Sequence, residues 1–270
     1  MLNRYDRYTL QTINTGKQMN FLKVFILLII SSNLHAEETK IEDIYRLNNI
    51  GGSILIESAD GKVSYQYNVN NEESFIPAST FKIPNTLIIL EEGLIKGQLE
   101  VIEWDGKERE YASWNKDQTL KSAFQYSCVW CYQRYARQVG NEKYLEYLRK
   151  FDYGNFSTGR DISRFWLDGE LRISVKDQIN FLRKVHAEEL PIQKSHIKTL
   201  KNIMMSEEHK NYKMWSKTGW SGEDGWFVGY ILINDHTWFF ANHIEIHKKS
   251  DLKFRKKLTM ETLKVLKIIP

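Results

Sequence analysis

Cysteine and proline are scarce: the 270 residues include two cysteines and four prolines. So few cysteines exclude a small disulfide-stapled scaffold, and the fold must rest on a buried apolar core. No internal repeat, low-complexity tract or Pro/Gly-rich linker divides residues 37–270, which excludes solenoids and tethered arrays. A long apolar run is also missing. The most apolar stretch, residues 24–30 (VFILLII), is far shorter than the roughly 20 residues a bilayer span needs, so no stable membrane anchor is expected. Neither sign of charge dominates, with 38 Lys and Arg against 34 Asp and Glu. Residues 1–36 carry Arg4, Arg7, Lys17 and Lys23 against Asp6 alone, so the rest of the chain is nearly neutral. It has no electrostatic footprint for nucleic acid.

What is present is a composition 42% apolar and 13% aromatic, enough for one good core. Lys23, the short apolar run, and Leu34 and Ala36 before Glu37 have the order of a secretory signal and its cleavage site. The expected organisation is a signal peptide over 1–36, with a possible upstream extension and the start at Met1 or Met19, followed by one domain over 37–270. The expected location is secreted, periplasmic.

Gly51–Glu57 (GGSILIE) and Lys62–Asn68 (KVSYQYN) read as strands joined by a turn at Ala59-Asp60-Gly61. From Ser79 onward Phe81, Leu87, Ile88, Leu94 and Ile95 follow a helical period, with Pro84 near the first turn, where its missing donor costs least. Helical patterns follow near 120–139, 141–151, 174–187 and 194–205. The period then changes: Tyr212–Thr218, Trp226–Ile233 and Thr237–Ile246 are aromatic and β-branched, and Ser250–Ile268 closes as a basic helix. Strands at both ends with helices between do not alternate as βαβ units. The pattern predicts an α+β fold, an antiparallel sheet flanked by helices with a helical insertion.

The chemistry starts at Ser79-Thr80-Phe81-Lys82. A serine hydroxyl is a weak nucleophile until a base takes its proton, and residues i and i+3 of a helix share a face, so Lys82 can reach Ser79. The spacing alone has little force, because Ser113/Lys116, Ser195/Lys198 and Ser250/Lys253 repeat it. Context singles out Ser79, which stands after Pro77-Ala78 where a polar loop enters an apolar helix. Lys217-Thr218-Gly219 ends an apolar strand, offering a cation and a side-chain-free backbone to an anionic ligand. Ser127-Cys128-Val129 opens a helical stretch.

In this order, S-x-x-K, a serine triplet and K-T-G resemble the serine β-lactamase and penicillin-binding signature, with Ser-Cys-Val in place of Ser-Asp-Asn. With the run from Pro77 to Asn85, Tyr153-Gly154-Asn155 and Phe165-Trp166-Leu167, the chain resembles the class D (oxacillinase-type) β-lactamases from about Tyr67 to its carboxyl end. The resemblance implies hydrolysis of a small β-lactam such as a penicillin, giving antibiotic resistance, by an acyl-serine on Ser79. It implies Lys82 as base, carrying a carbamate formed from carbon dioxide, with no metal or other cofactor. Val129 and Trp166 would enclose that lysine. Ser127 and Lys217 would relay protons and orient substrate, and the Ser79 and Trp220 N–H groups would form the oxyanion hole. Thr218, Gly219 and Arg255 would bind the substrate, Arg255 competing with a plain solvated helix face. The turn from Ser221-Gly222 to Gly225-Trp226 is shorter than many class D enzymes have, which bears on substrate range.

A rival within the superfamily is a penicillin-binding sensor or peptidase, which acylates without turnover. Cys128 and Cys131 form a C-x-x-C pair whose favoured reading is two small apolar residues, a local disulfide being the alternative. His243, Glu245 and His247 alternate along one strand as a metal site would, but no fourth ligand cluster accompanies them, and ordinary strand residues are expected. Monomer and homodimer are both open.

Overall fold

The computed structural model describes residues 37–270. The proposed signal over residues 1–36 therefore lies outside the described residues.

Six strands form one antiparallel sheet in the order β2-β1-β8-β7-β6-β5. They are β1 (Gly52–Ser58), β2 (Ser64–Tyr67), β5 (Met205–Glu208), β6 (Tyr212–Ser221), β7 (Asp224–Ile233) and β8 (His236–Glu245). The short strands β3 (Val101–Ile102) and β4 (Gln118–Thr119) pair separately. The period-2 alternation of β7 sorts its side chains between two cores. Trp226, Val228 and Tyr230 enter the larger core, while Phe227, Ile231 and Ile233 enter the smaller one. The smaller core is closed by the helix over residues 37–48 (α1), through Ile41, Ile44 and Tyr45, and by α8 (Phe254–Val265), through Leu258 and Leu263. The larger is closed by the insertion: α2 (Lys82–Glu91), α3 (Leu120–Gln125), α4 (Val129–Val139), α5 (Asn141–Phe151), α6 (Val175–Ala187) and α7 (Lys194–Met204). This is the predicted α+β plan. Among the described residues no helix is long and apolar enough to cross a membrane.

Three local expectations are corrected. The helical pattern over 120–139 breaks into α3 and α4, because Ser127 takes a positive φ of 54° that no right-handed helix continues. The chain after α7 adds an edge strand, β5, where only helix and loop were expected. The closing basic segment is a 3₁₀ turn over Lys249–Lys253 before α8, with Asp251 capping the backbone N–H groups of His247 and Lys248.

Candidate active site

Ser79 lies in a 3₁₀ turn, Ala78–Phe81, that runs directly into α2, whose first residue is Lys82. The turn is strained: Ala78, which has a β-carbon, sits at φ 50°. Hydrogen bonds from several elements hold it there. Thr80 Oγ1 donates to Pro77 O at 2.6 Å, Gln178 Nε2 donates to Thr80 Oγ1 at 2.8 Å, and Trp226 Nε1 donates to Ile76 O at 2.8 Å. Phe75 pairs with Ile173 in an isolated bridge. Gln178 lies 98 residues from Thr80 in sequence and Trp226 lies 150 from Ile76, so the S-x-x-K reading missed them.

Lys82 Nζ is 3.1 Å from Ser79 Oγ, and the lysine is fully buried. It lies under the ring of Tyr132, 5.0 Å from its centroid. Removal from water penalises the ammonium and pulls its pKa down to about 7. A lysine at its ordinary value of about 10.4 is neutral in roughly one molecule in a few thousand at pH 7; here about half are. The other three S-x-x-K lysines, Lys116, Lys198 and Lys253, are exposed and keep solvent around their charge.

β6 carries the second group. Lys217 Nζ donates to Ser127 Oγ at 2.6 Å and to Thr218 O at 2.9 Å. Burial, then the nearby charges of Lys82 and Arg255, push its pKa well below the usual range. Space is tight at Gly219: a β-carbon there would come to 3.0 Å from Pro77 O and 3.1 Å from Thr80 Cγ2, so glycine lets β6 lie this close to the Ser79 turn without displacing it. Arg255 Nη1 donates to Gly219 O at 2.7 Å, and burial lowers its pKa to about 10. Arg255 is thus not the solvated residue that its basic run allowed.

These residues share one cleft of roughly 370 Å³, lined by Ser79, Ser127, Val129, Thr218, Gly219, Trp220 and Arg255. Its remaining wall is apolar and aromatic: Tyr111, Trp114, Tyr126, Leu167 and Leu252. Sequence reasoning named none of these as lining, since each stands on a loop or turn whose place depends on distant contacts. No carboxylate is among the lining residues and Arg255 is, a setting for an anion.

Trp166 is fully buried and stacked on Phe81, the residue before Lys82, with centroids 5.5 Å apart. Its Nε1 is a buried donor without a partner. Buried donors are rarely left unpaired.

Residues 37–264 match the model of the penicillin binding protein transpeptidase domain. The chain is 41% identical to Beta-lactamase OXA-48 of Klebsiella pneumoniae over 202 residues, 73% of this chain and 76% of that one. It is 33% identical to Beta-lactamase OXA-2 of Salmonella typhimurium over 251 residues, covering 90% and 91%. The class D β-lactamase YbXI of Nostoc superposes with a TM-score of 0.81 at 39% identity, over 84% of this chain and 98% of that one. FUS-1 (OXA-85) of Fusobacterium nucleatum gives 0.83 at 32%, over 86% and 99%.

The chain belongs to the class D serine β-lactamases.

Two further features of this class D chain settle what the sequence left open. Cys128 and Cys131 are joined in a disulfide, which overturns the favoured reading of two free apolar residues. The i,i+3 spacing at the start of α4 brings the two sulfurs within bonding reach. On β8, His243 is buried against Asp224 at 2.8 Å, whereas Glu245 and His247 are exposed and face each other at 3.5 Å. The three do not converge.

Proposed function

We propose that this enzyme opens the amide of penicillin-type β-lactams by acylation and deacylation of Ser79. The observation that carries the reading is Lys82: fully buried, 3.1 Å from the Ser79 hydroxyl, with its pKa lowered to about 7. Ser79 Oγ attacks the lactam carbonyl carbon as its proton passes to the Lys82 side chain. The backbone N–H groups of Ser79 and Trp220 receive the oxyanion. The ring C–N bond then breaks, and Ser127, held by Lys217, delivers a proton to the departing nitrogen and is reprotonated from the Lys82 side chain, which returns to its proton-free form. Thr218 and Arg255 hold the substrate carboxylate, Arg255 supplying the charge, and Gly219 lets the substrate approach the backbone closely. Water then cleaves the seryl ester, its proton passing by way of the Lys82 side chain to the released Ser79 oxygen.

The pocket also fits a carbamate on Lys82. Only a neutral amine adds carbon dioxide, and about half of Lys82 is neutral near pH 7. The partnerless Trp166 Nε1 would serve as its donor, and Val129, on the cleft wall, would shield it. Such a group supplies an anionic oxygen base in place of the amine. Residues 1–36 fit an export signal, and a disulfide belongs to an oxidising compartment such as the periplasm.

The test is mass spectrometry after brief exposure to benzylpenicillin, together with turnover of a chromogenic cephalosporin. An adduct on Ser79 with many turnovers per enzyme is expected. A single stoichiometric burst would mean a penicillin-binding sensor, and an unlabelled Ser79 would end the reading.

A further inference from the structure

Three helices of the insertion begin on an i,i+3 pair at the N-cap and N3 positions. α3 opens on Thr119 and Ser122, each side chain bonded to the other's backbone N–H. α6 opens on Ser174 and Asp177 in the same way. Such capping boxes satisfy N–H groups that a helix leaves without partners. α4 opens on Cys128 and Cys131 at the same two positions, with no side-chain hydrogen bond to its cap. An S–S bond joins them instead.

The ring so closed contains Val129 and Trp130, and Ser127 leads into it. Val129 lines the cleft. Trp130 Nε1 donates to Trp114 O at 3.0 Å, and Trp114 Nε1 to Tyr126 O at 2.9 Å, so two aromatic wall residues hang from the same turn. Ser127 stands at φ 54° with its hydroxyl 2.6 Å from Lys217 Nζ. A serine in that conformation persists only if both sides of it are held. On the carboxyl side, the Cys128 N–H donates to Ala123 O at 2.8 Å, and the disulfide ring fixes the turn that follows. A ring this short removes less entropy from the unfolded chain than a long loop does, so its effect is mainly local geometry.

We propose that the Cys128–Cys131 disulfide is a positioning element, a covalent counterpart of the capping box that keeps Ser127 against Lys217, so that turnover depends on the redox state of the pair. This rests on the reading of Ser127 as proton relay. With dithiothreitol as reductant, two electrons and two protons convert the S–S bond into two thiols while dithiothreitol closes to its cyclic disulfide. Both cysteines are fully buried, so reduction of the folded enzyme is slow.

The experiment compares wild type (oxidised and reduced), Cys128→Ala/Cys131→Ala, Cys128→Thr/Cys131→Ser and Ser127→Ala. Iodoacetamide labelling in denaturant counts thiols, and chromogenic cephalosporin kinetics are scored per acylatable site from the burst. Oxidised wild type is expected to label at neither cysteine. The double alanine variant and reduced wild type should lose about tenfold in kcat with KM within about twofold, as expected for a displaced proton donor. The Thr/Ser variant, which copies the box of α3, should regain most of that loss. Where a variant fails to fold, reduced wild type carries the comparison. Labelling without reductant, full kcat after reduction, or a loss that the Thr/Ser pair does not recover overturns the proposal. A fully active Ser127→Ala overturns the relay reading beneath it; an inactive Ser127→Ala with full kcat in the double alanine variant overturns the positioning role alone.

Discussion

Trp226 Nε1 donates to the carbonyl of Ile76 at 2.8 Å, tying the middle of the sheet to the segment that enters the nucleophile turn. The indole is fully buried and packs edge-on against Phe75 and His243. Trp226→Phe keeps the ring but strands the carbonyl, at a cost of about 1–3 kcal/mol. In a chain of this size each kcal/mol lowers the thermal midpoint by about 2–4 °C, and kcat should fall with it. A variant with unchanged midpoint and kcat would show that the bond does not hold the turn.

The buried lysine sets a pH dependence. Between about pH 7 and about 10.4 the unfolded chain keeps a proton at Lys82 that the folded chain has released, so stability rises with pH across that window and levels off below it. Lys217, shifted the same way, adds to the slope. Denaturant titrations at pH 7 and pH 9 should show this rise, and Lys82→Met should flatten it.

Activity should follow the same group. Below about pH 7 the neutral fraction of Lys82 falls roughly tenfold per pH unit, and kcat/KM should fall with it. Added bicarbonate should restore part of the loss. Activity indifferent to bicarbonate at mildly acidic pH argues against a carbamate. Lys82→Ala should abolish turnover with the circular dichroism spectrum retained.

Trp166 Nε1 has no partner in the unmodified protein, so in buffer freed of carbon dioxide Trp166→Phe should cost only the packing lost to a smaller ring, with no hydrogen-bond loss added. If that donor serves an anion on Lys82, a charge-assisted hydrogen bond of about 1.5–3 kcal/mol is lost, and half-maximal activity should need roughly 10- to 100-fold more bicarbonate. An unchanged bicarbonate titration would remove Trp166 from that role.

Arg255 is held by Gly219 O beside the cleft. Arg255→Ala should raise KM for benzylpenicillin by roughly 30-fold or more, the worth of about 2 kcal/mol or more from a desolvated charge contact. The methyl ester of the same penicillin, lacking the anion, should be insensitive. Equal effects on both would mean that the arginine acts through the backbone of Gly219 instead.

Much of the site was legible because its signals are local. The reach from Ser79 to Lys82 follows from helical spacing, and the two-residue alternation of β7 and β8 fixes which side chains face each core. The strand carrying Lys217-Thr218-Gly219 was readable for the same reason, although β6 runs on past the motif to Ser221. Spacing alone could not separate Lys82 from Lys116, Lys198 and Lys253, since all four share it; the apolar helix after Pro77-Ala78 favoured Lys82, and burial in the fold decided it. Nor could local pattern find the break at Ser127, where a contact with Lys217, 90 residues away, accompanies a backbone conformation that propensity disfavours.

The amino-acid sequence alone determined the order of elements, the motif residues and the family they resemble, because backbone periodicity and side-chain chemistry act over a few residues. Only the tertiary structure decided which lysine loses its water, which loops wall the cleft and that the two cysteines are joined. Those depend on surfaces contributed by segments far apart in the chain, and burial, unlike spacing, belongs to the whole fold.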